Sequence, residues 1–259
     1  MVSHQDMNKH REPECTGITQ DKKYFEIGSS FVKRTLRRHE WIENTIGWKP
    51  PANLPQRWTT DGAVLQYLQE HAPSIPVPRF RHTMEDDGAF YFCTEFVPGI
   101  SMVHFTPEQK DVVTKELMVH LATLKSLRSD TPGVPGQTLL CPPLRMHRDF
   151  WKSHTCWRPK ADLPKGDYVF CHNDLSQYNV LVDPETLKIN AIVDWEYAGF
   201  WPEWFERPYW TREGPGAPLE GELDDIDQGR EWLREHCDEV EMPHLLTLLE
   251  KMDRAKEES

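Results

Sequence analysis

Three side chains with oxygen donors stand close to one predicted hairpin in the second half of the chain. The apolar runs 180–182 and 188–193 flank an Asp-Pro-Glu-Thr turn, a pattern typical of two antiparallel strands. In such a hairpin Asn179 lies across from the end of the second strand, so Asp194 falls beside it. Asp174 lies in the loop just ahead. The sequence therefore predicts one carboxamide and two carboxylates around one point.

This set of oxygen donors suits phosphoryl transfer. Mg²⁺ prefers oxygen ligands and keeps waters and phosphate oxygens as the rest of its shell, so Asn179 and Asp194 are candidate metal ligands. Asp174 is the candidate base, which would orient an attacking hydroxyl and accept its proton. Each residue taken singly has an ordinary alternative role in a turn or at a strand end. The interpretation therefore depends on their joint order and spacing.

The order and spacing of these residues resemble a known family. Residues 172–179 have the His-x-Asp-x-x-x-x-Asn spacing of a kinase-like catalytic loop, and Asp194 lies in Ile-Val-Asp-Trp-Glu rather than in Asp-Phe-Gly. The segment looks like the aminoglycoside phosphotransferase and choline-kinase-related enzymes, a branch of the protein-kinase-like superfamily, in particular its small fungal members. The resemblance covers about residues 22–210 and is strongest over 168–206. It implies an ATP- and Mg²⁺-dependent kinase, with His172 as an architectural residue.

The resemblance also implies a nucleotide site in the first half of the chain. Lys33, in a predicted strand, is the candidate for the lysine that binds the nucleotide phosphates. Asp61 is the candidate for its acidic partner, where related sequences usually carry glutamate; a role at the start of a helix is equally open. Residues 94–99 resemble the link between the lobes, where the Glu95 carbonyl and the Val97 amide would contact adenine. A core strand that leaves for a turn predicts the same pattern.

One departure from the family's pattern concerns the loop that covers the phosphates. No Gly-x-Gly-x-x-Gly precedes Lys33, and Gly17 and Gly28 are the only glycines before it. This leaves open a non-catalytic, kinase-like module (a pseudokinase) that binds a nucleotide or a partner. A second alternative is a metal-dependent hydrolase built on His172 and Asp174, but it lacks a second histidine at ligand spacing.

The predicted acceptor is a hydroxyl of a small-molecule metabolite or of an aminoglycoside-like compound. Asp194 is followed after seven residues by Pro202 and Glu203, which leaves no room for the long activation segment of protein kinases. Trp195, Glu196 and Glu203 are candidates for an acidic, aromatic pocket that would suit a cation. Core packing of the aromatic side chains is the alternative.

These residues must be positioned by secondary-structure elements. The order of the predicted elements, together with the family resemblance, predicts an α+β, bilobal protein-kinase-like fold with a truncated β-rich N-terminal lobe and a mainly helical C-terminal lobe. We expect a loose arm over 1–21, the small nucleotide lobe over 22–97, and the lobe with the catalytic loop and metal-binding hairpin over 98–259. The pattern predicts strands over 24–27, 31–36 and 89–97, a Pro-rich loop over 47–57, and helices over about 61–71, from residue 107 onward, over 225–237 and over 243–254. Residues 130–168 are rich in loop signals.

Composition excludes several classes of function. The 259 residues carry 42 acidic and 30 basic side chains, and a net charge of −12 argues against an extended nucleic-acid surface. No apolar run approaches the roughly 18 residues of a membrane span, and the polar start lacks the apolar core of a signal peptide. Six scattered cysteines indicate reduced thiols. We expect a cytoplasmic protein without a nucleic-acid or membrane partner; the sequence does not indicate its oligomeric state.

Overall fold

The first half of the chain folds into one antiparallel sheet, in a computed structural model that describes residues 7–8, 11–41, 51–146 and 155–242. The strands follow the spatial order β1-β2-β3-β5-β4. Their bounds are β1 Cys15–Ile18, β2 Lys22–Ile27, β3 Ser30–Thr35, β4 Phe80–Asp86 and β5 Ala89–Glu95. The predicted hairpin around Gly28 is confirmed, and a φ of 59° explains the glycine at this turn. Lys33 of β3 lies opposite Tyr24 of β2.

The edge strand β1 extends this sheet into the residues that the sequence pattern assigns to the arm. Cys15 is buried and lies opposite Phe25, and a bulge separates it from Gly17. The short run has no clear alternation of apolar and polar side chains, because the bulge interrupts the period of two. Residues 15–18 form a strand because they pair with β2, not because of a local sequence pattern.

The first helix, α1 Leu54–His71, begins earlier than the sequence pattern predicts. Pro55 lies in its first turn, where the missing N–H would have had no partner within the helix. The predicted Pro-rich loop over 47–57 therefore gives way to helix at residue 54 rather than at about residue 61. Asp61 consequently lies inside the helix rather than at its N-terminus.

Strand β4 has no counterpart in the sequence prediction. It joins β5 through Asp87 and Gly88, whose φ angles of 46° and 66° are those of a two-residue hairpin turn. Five of its seven residues are exposed, among them the charged Arg81 and Asp86. Such exposure is expected for an edge strand.

The second half mixes helices with three small sheets. A capping box starts α2: Thr106 Oγ1 accepts from the Gln109 backbone amide, and Gln109 Oε1 accepts from the Thr106 backbone amide. The hairpin is confirmed in the expected register, with Val180 opposite Ile192. The remaining bounds are β6 Ile100–Ser101, α2 Pro107–Ser126, β7 Arg128–Ser129, β8 Thr155–Pro159, β9 Tyr168–Cys171, β10 Val180–Val182, β11 Ile189–Ile192, β12 Gly199–Trp201, α3 Ile226–His236 and β13 Cys237–Glu241.

A cluster of buried apolar side chains runs through both halves and joins the sheet to the hairpin. It contains Trp58 of α1, Phe92 of β5, Leu117 of α2, and Val180 and Trp195 of the hairpin region. The Ile192 amide also donates to the carbonyl of Pro76 at 2.8 Å. The expected mixed fold with a β-rich first half is therefore confirmed, and the two halves are packed against each other.

Three further expectations concern the last predicted helix, membrane-spanning segments and the cysteines. The helix predicted over 243–254 lies outside the described residues. Among the residues that are described, no helix combines the length and apolar character needed to cross a membrane. All six cysteines are buried free thiols, as expected.

Candidate active site

A cleft of about 380 Å³ lies between the first sheet and the hairpin. Seven of its lining residues are ones that the sequence analysis singles out: Lys33, Asp61, Glu95, Val97, Asn179, Asp194 and Trp195. Apolar side chains complete the walls: Phe31, Leu65, Phe92 and Leu181. The fold therefore brings residues from strands, a helix and a hairpin to one cavity, and the most distant of them, Tyr24 and Trp195, are 171 positions apart in sequence.

Lys33 joins the two halves of this cleft. Its Nζ lies 3.1 Å from Asp61 Oδ2 and 2.5 Å from Asp194 Oδ1. Burial opposes the charge of Lys33, but the two carboxylates hold its pKa well above the usual value. Burial raises the pKa of Asp61 to about 6 despite Lys33, and Asp194 adds to this effect. One ammonium thus serves two carboxylates, and Asp61 faces the cleft from mid-helix instead of capping the helix.

Asp194 follows β11 in an unusual backbone conformation. Its φ is 69°, in the left-handed region that non-glycine residues seldom adopt. The indole of the next residue, Trp195, donates to the Ile192 carbonyl at 2.8 Å and holds this turn. Burial alone would raise the pKa of Asp194, but Lys33 and then Lys22 lower it below its ordinary value. The side chain is therefore an anion directed into the cleft.

Asn179 connects the hairpin to Asp174. Its Nδ2 donates to the Asp174 carbonyl at 2.8 Å and to Asp174 Oδ2 at 3.3 Å, while the Val193 amide donates to the Asn179 carbonyl at 3.0 Å. Burial raises the pKa of Asp174 to about 7, and the charges of Asp194 and Glu196 act in the same direction. Asp174 thus lies next to the cleft, tied to one of its walls.

His172 is an internal link between the loop and the hairpin. Its side chain is fully buried; Nδ1 accepts from the Asp174 amide at 3.3 Å, and Nε2 lies 3.0 Å from the Val193 carbonyl. Burial lowers the pKa of His172 to about 4, so the ring is neutral, with its proton on Nε2. Both ring nitrogens are engaged, which leaves neither for a metal and removes the basis of the hydrolase alternative.

The donor set of the cleft fits magnesium. With Nδ2 directed at Asp174, Asn179 Oδ1 has no hydrogen-bond partner within the described ranges, and Asp194 Oδ2 likewise has none. Two hard oxygen atoms on one cleft wall suit an ion that takes few protein ligands and keeps waters and phosphate oxygens. In the part of the chain that the structure describes, no group of three or more His, Cys, Asp or Glu side chains is arranged to hold a metal.

Two of the predicted pocket residues do not line the cleft. Glu196 is buried, and its Oε1 pairs with Arg57 Nη2. Lys22 Nζ lies 3.8 Å from the same oxygen. Glu203 lies on the surface, in an ion pair of 2.9 Å with Lys125 of α2. The placement of Glu203 follows from its short helical turn, Glu203–Phe205, which directs Phe205 into the core instead. The neighbouring aromatic side chains pack in a second core cluster, as the packing alternative predicts.

Two residues brace the loop around Asp174, a role that the sequence indicates for neither of them; the sequence suggests Glu206 only as a further candidate for the acidic, aromatic pocket. Glu206 accepts the backbone N–H groups of His172 and Asn173, the latter at 3.4 Å. Burial raises the pKa of Glu206 to about 7. Arg145 donates to the Asn173 carbonyl at 3.2 Å and pairs with Asp225 at the same distance. Asn173, with a φ of 69°, is thus held from both sides. No local pattern marks either contact, because the partners are distant in sequence.

The segment 212–222 passes close to Asp174. Arg212 organises it through Glu222 and through the carbonyls of Pro215 and Ala217, at 2.6 to 2.9 Å. A Cβ atom on Gly216 would lie 1.8 Å from Asp174 Oδ1. The backbone therefore passes so close to this carboxylate that only glycine fits there.

Comparison with known proteins places these features in context. The model of the phosphotransferase enzyme family, APH, matches residues 20–236. An aminoglycoside 3'-phosphotransferase of Streptomyces fradiae is 30% identical over 167 residues, which cover 58% of this chain and 62% of that protein. A protein of the same name from Streptomyces ribosidificus is 27% identical over 183 residues, 64% of this chain and 68% of that protein. The chain thus spans about six tenths of the first relative's length.

Solved structures of similar proteins share little sequence with this chain. The crystal structure of aminoglycoside-3'-phosphotransferase of type VIII is 18% identical, with a TM-score of 0.45 and coverage of 76% of this chain and 79% of that one. The crystal structure of aminoglycoside phosphotransferase APH(4)-Ia is 13% identical, with a TM-score of 0.46 and coverage of 85% and 76%.

Proposed function

This chain belongs to the phosphotransferase enzyme family, and we propose that it is an O-phosphotransferase that transfers the terminal phosphoryl group of ATP, with Mg²⁺, to a hydroxyl of a small molecule. The observation that carries the proposal is the hydrogen bonding of Asn179. Its Nδ2 holds Asp174, the candidate base, at 3.3 Å, while its Oδ1, which has no hydrogen-bond partner in the described part of the chain, belongs to a residue that lines the same cleft as Asp194. One side chain thereby links the acceptor end of the reaction to the metal end.

The proposed roles follow from charge and position. Asn179 Oδ1 and Asp194 would hold Mg²⁺, which when bound supplies positive charge against the phosphate oxygens. Lys33, held by Asp61, would contact the phosphates of the nucleotide. Asp174 would orient the acceptor hydroxyl and take its proton as the new oxygen–phosphorus bond forms and the bond to the ADP leaving group breaks. A pKa of about 7 in the free protein suits a base that works near neutral pH.

Adenine would occupy the apolar end of the cleft. Phe31, Leu65 and Leu181 offer flat or branched apolar surface there. The amide of Val97 has no hydrogen-bond partner within the described residues, and the Glu95 carbonyl accepts from the Thr94 hydroxyl at 3.0 Å. A free donor and an accessible acceptor two residues apart match the edge of a purine.

We propose a polyhydroxylated amine as the acceptor, of the aminoglycoside class or a related metabolite. Both Streptomyces relatives bear the name aminoglycoside 3'-phosphotransferase. The net charge of −12 favours the approach of a cationic substrate over an anionic one.

The test is transfer of phosphate to a panel of aminoglycosides and smaller amino sugars, with ATP and Mg²⁺, read by mass spectrometry of the acceptor. The proposal predicts a product that has gained one phosphoryl group on oxygen, and none when Mg²⁺ is chelated. ATP binding without transfer to any member would favour a second candidate, the non-catalytic nucleotide-binding module. The observation behind that alternative is the turn between β1 and β2, which is three residues long and has no glycine.

A further inference from the structure

The turn that joins β1 to β2 is too short and too self-contained to cover a nucleotide. It consists of Thr19, Gln20 and Asp21. The Thr19 amide donates to the Lys22 carbonyl at 2.8 Å, and the Lys22 amide donates to Thr19 Oγ1 at 3.2 Å. Protein kinases use a glycine-rich loop at the corresponding place to cover the phosphates. Here two of the available amides are used within the turn itself.

Lys22 follows this turn directly and lies on the same face of the sheet as Lys33. Strand pairing sets Lys22 opposite Thr35 and Tyr24 opposite Lys33. Since side chains alternate along a strand and paired residues share a face, Lys22, Tyr24, Lys33 and Thr35 all lie on one side. Tyr24 and Lys33 line the cleft. Lys23 lies on the opposite face, where its Nζ bonds Glu40 at 2.6 Å.

The side chain of Lys22 is largely buried, but its ammonium is not fully enclosed. The residue is 8% exposed, and its ion pair with Glu196 Oε1 spans 3.8 Å. That carboxylate is engaged more closely by Arg57. No acceptor in the described ranges lies within hydrogen-bonding distance of Lys22 Nζ, although an ammonium carries three donors. The donors of this ammonium are therefore available to a further acceptor, such as a bound anion.

The charges around Lys22 indicate which acceptor fits. Burial opposes its charge, but Glu196 and other acidic neighbours including Asp194 hold the pKa of Lys22 above its ordinary value. Lys22 is also one of the cations that lower the pKa of Asp194, the proposed metal ligand. Its positive charge therefore acts at the end of the cleft where the metal and phosphates would lie. Phosphate oxygens are strong acceptors for an ammonium in such a position.

We infer that Lys22 binds the phosphates of the nucleotide and replaces contacts that a glycine-rich loop would make. The inference rests on the proposed function, since it places the phosphates beside Asp194. Lys22 and Lys33 then hold the polyphosphate from one face of the sheet. The departure from the family's sequence pattern is compensated by a buried cation, which favours an active enzyme over a vestigial one.

The experiment compares ATP, ADP and adenosine binding by isothermal titration, with Mg²⁺, for wild type, Lys22→Met and Lys22→Arg. Removing one charge-assisted contact should weaken ATP and ADP binding by about 10- to 100-fold in Lys22→Met. Adenosine affinity should be unchanged, and Lys22→Arg should keep most of the ATP affinity. Lys22→Gln repeats the test if the Met variant does not fold.

Lys23→Met is the matched control, since it removes a buried lysine of the same strand from the other face. It should bind ATP as the wild type does at a temperature where both are folded. Unchanged ATP affinity in Lys22→Met, or an equal loss for ATP and adenosine, would overturn the inference while leaving the proposed function intact. A wild type that binds neither ATP nor ADP would instead refute the proposed function, and this inference with it.

Discussion

The side-chain amide of Asn179 donates to both the backbone carbonyl and the carboxylate of Asp174, at 2.8 and 3.3 Å. The contact fixes Asp174 from the hairpin side and leaves Asn179 Oδ1 without a partner among the described residues. A single asparagine therefore sets the separation between the proposed base and the proposed metal site. Aspartate has the same shape and no donor, so it cannot replace asparagine in this role.

Replacement of Asn179 tests this double role. Asn179→Asp keeps an oxygen ligand but removes both donations to Asp174 and sets a second carboxylate beside it, which should raise the pKa of Asp174 further. We expect kcat to fall by at least about 100-fold at pH 7, with partial recovery at higher pH. Asn179→Ala loses the metal ligand as well and should not recover. The pH profile of kcat distinguishes the two; identical profiles would contradict the account.

Asp61 gives a prediction on stability as a function of pH. Burial raises its folded-state pKa to about 6, from an ordinary value of 3.8. The folded state therefore holds this proton more tightly than the unfolded state, and the wild type loses stability as pH rises from about 4 to 6. Above that window the loss is complete, at most about 3 kcal/mol at 1.36 kcal/mol per pKa unit.

Asp61→Asn removes that titration. The variant should gain stability relative to the wild type across pH 4 to 6, measured by urea denaturation, and the difference should be flat above pH 7. Asp61→Asn should also raise the KM for ATP, because Lys33 then loses one of its two carboxylate partners. A difference in stability that does not depend on pH would show that Asp61 does not ionise in this window.

Glu206 should act on turnover through the loop that carries Asp174. Glu206→Ala leaves the buried amides of His172 and Asn173 without their acceptor, at a cost of about 1–3 kcal/mol for an unsatisfied group. We expect lower stability together with a drop in kcat at nearly constant KM for ATP. Glu206→Gln keeps an acceptor oxygen and should restore most of both. A Gln variant as impaired as the Ala variant would indicate that the negative charge itself is needed.

Gly216 tests whether the segment 212–222 must lie against Asp174. A methyl group at this position would meet Asp174 Oδ1, so Gly216→Ala should displace the carboxylate or the segment. We expect kcat to fall more than tenfold while ATP affinity stays within about twofold of wild type. Gly221→Ala is the control: it strains the same segment at a φ of 84° but contacts nothing within 4 Å. Equal losses in both variants would point to strain in the segment rather than contact with Asp174.

The parts of the site that could be predicted from sequence are those carried by local patterns. Asn179 and Asp194 were placed together because hairpin register depends only on the residues of the hairpin. The position of Asp61 was harder, since Pro55 reads as a loop signal although it is well suited to a first helical turn. Its true place, in mid-helix opposite Lys33, depends on packing against a strand 28 residues earlier.

The contacts that could not be predicted join residues far apart in sequence. Arg57 and Glu196 are 139 residues apart, and no sequence pattern around either residue indicates that they form an ion pair. Lys22 and Lys23 look alike in the sequence, and only the pairing of β2 with β3 separates the one facing the cleft from the one facing Glu40. Glu203 shows the reverse error: its acidic, aromatic surroundings suggested a pocket, but those aromatics were needed for the core.

The most direct test of the central claim is the turnover of Asp174→Asn with ATP, Mg²⁺ and the best acceptor of the wild type, beside the ATP affinity of the same variant. Loss of a general base typically costs about 10²–10⁴ in rate. The account predicts a loss of that size in kcat, unchanged thermal stability within a few degrees, and ATP affinity close to that of the wild type. Turnover within a few-fold of wild type would contradict the claim that Asp174 accepts the proton of the attacking hydroxyl.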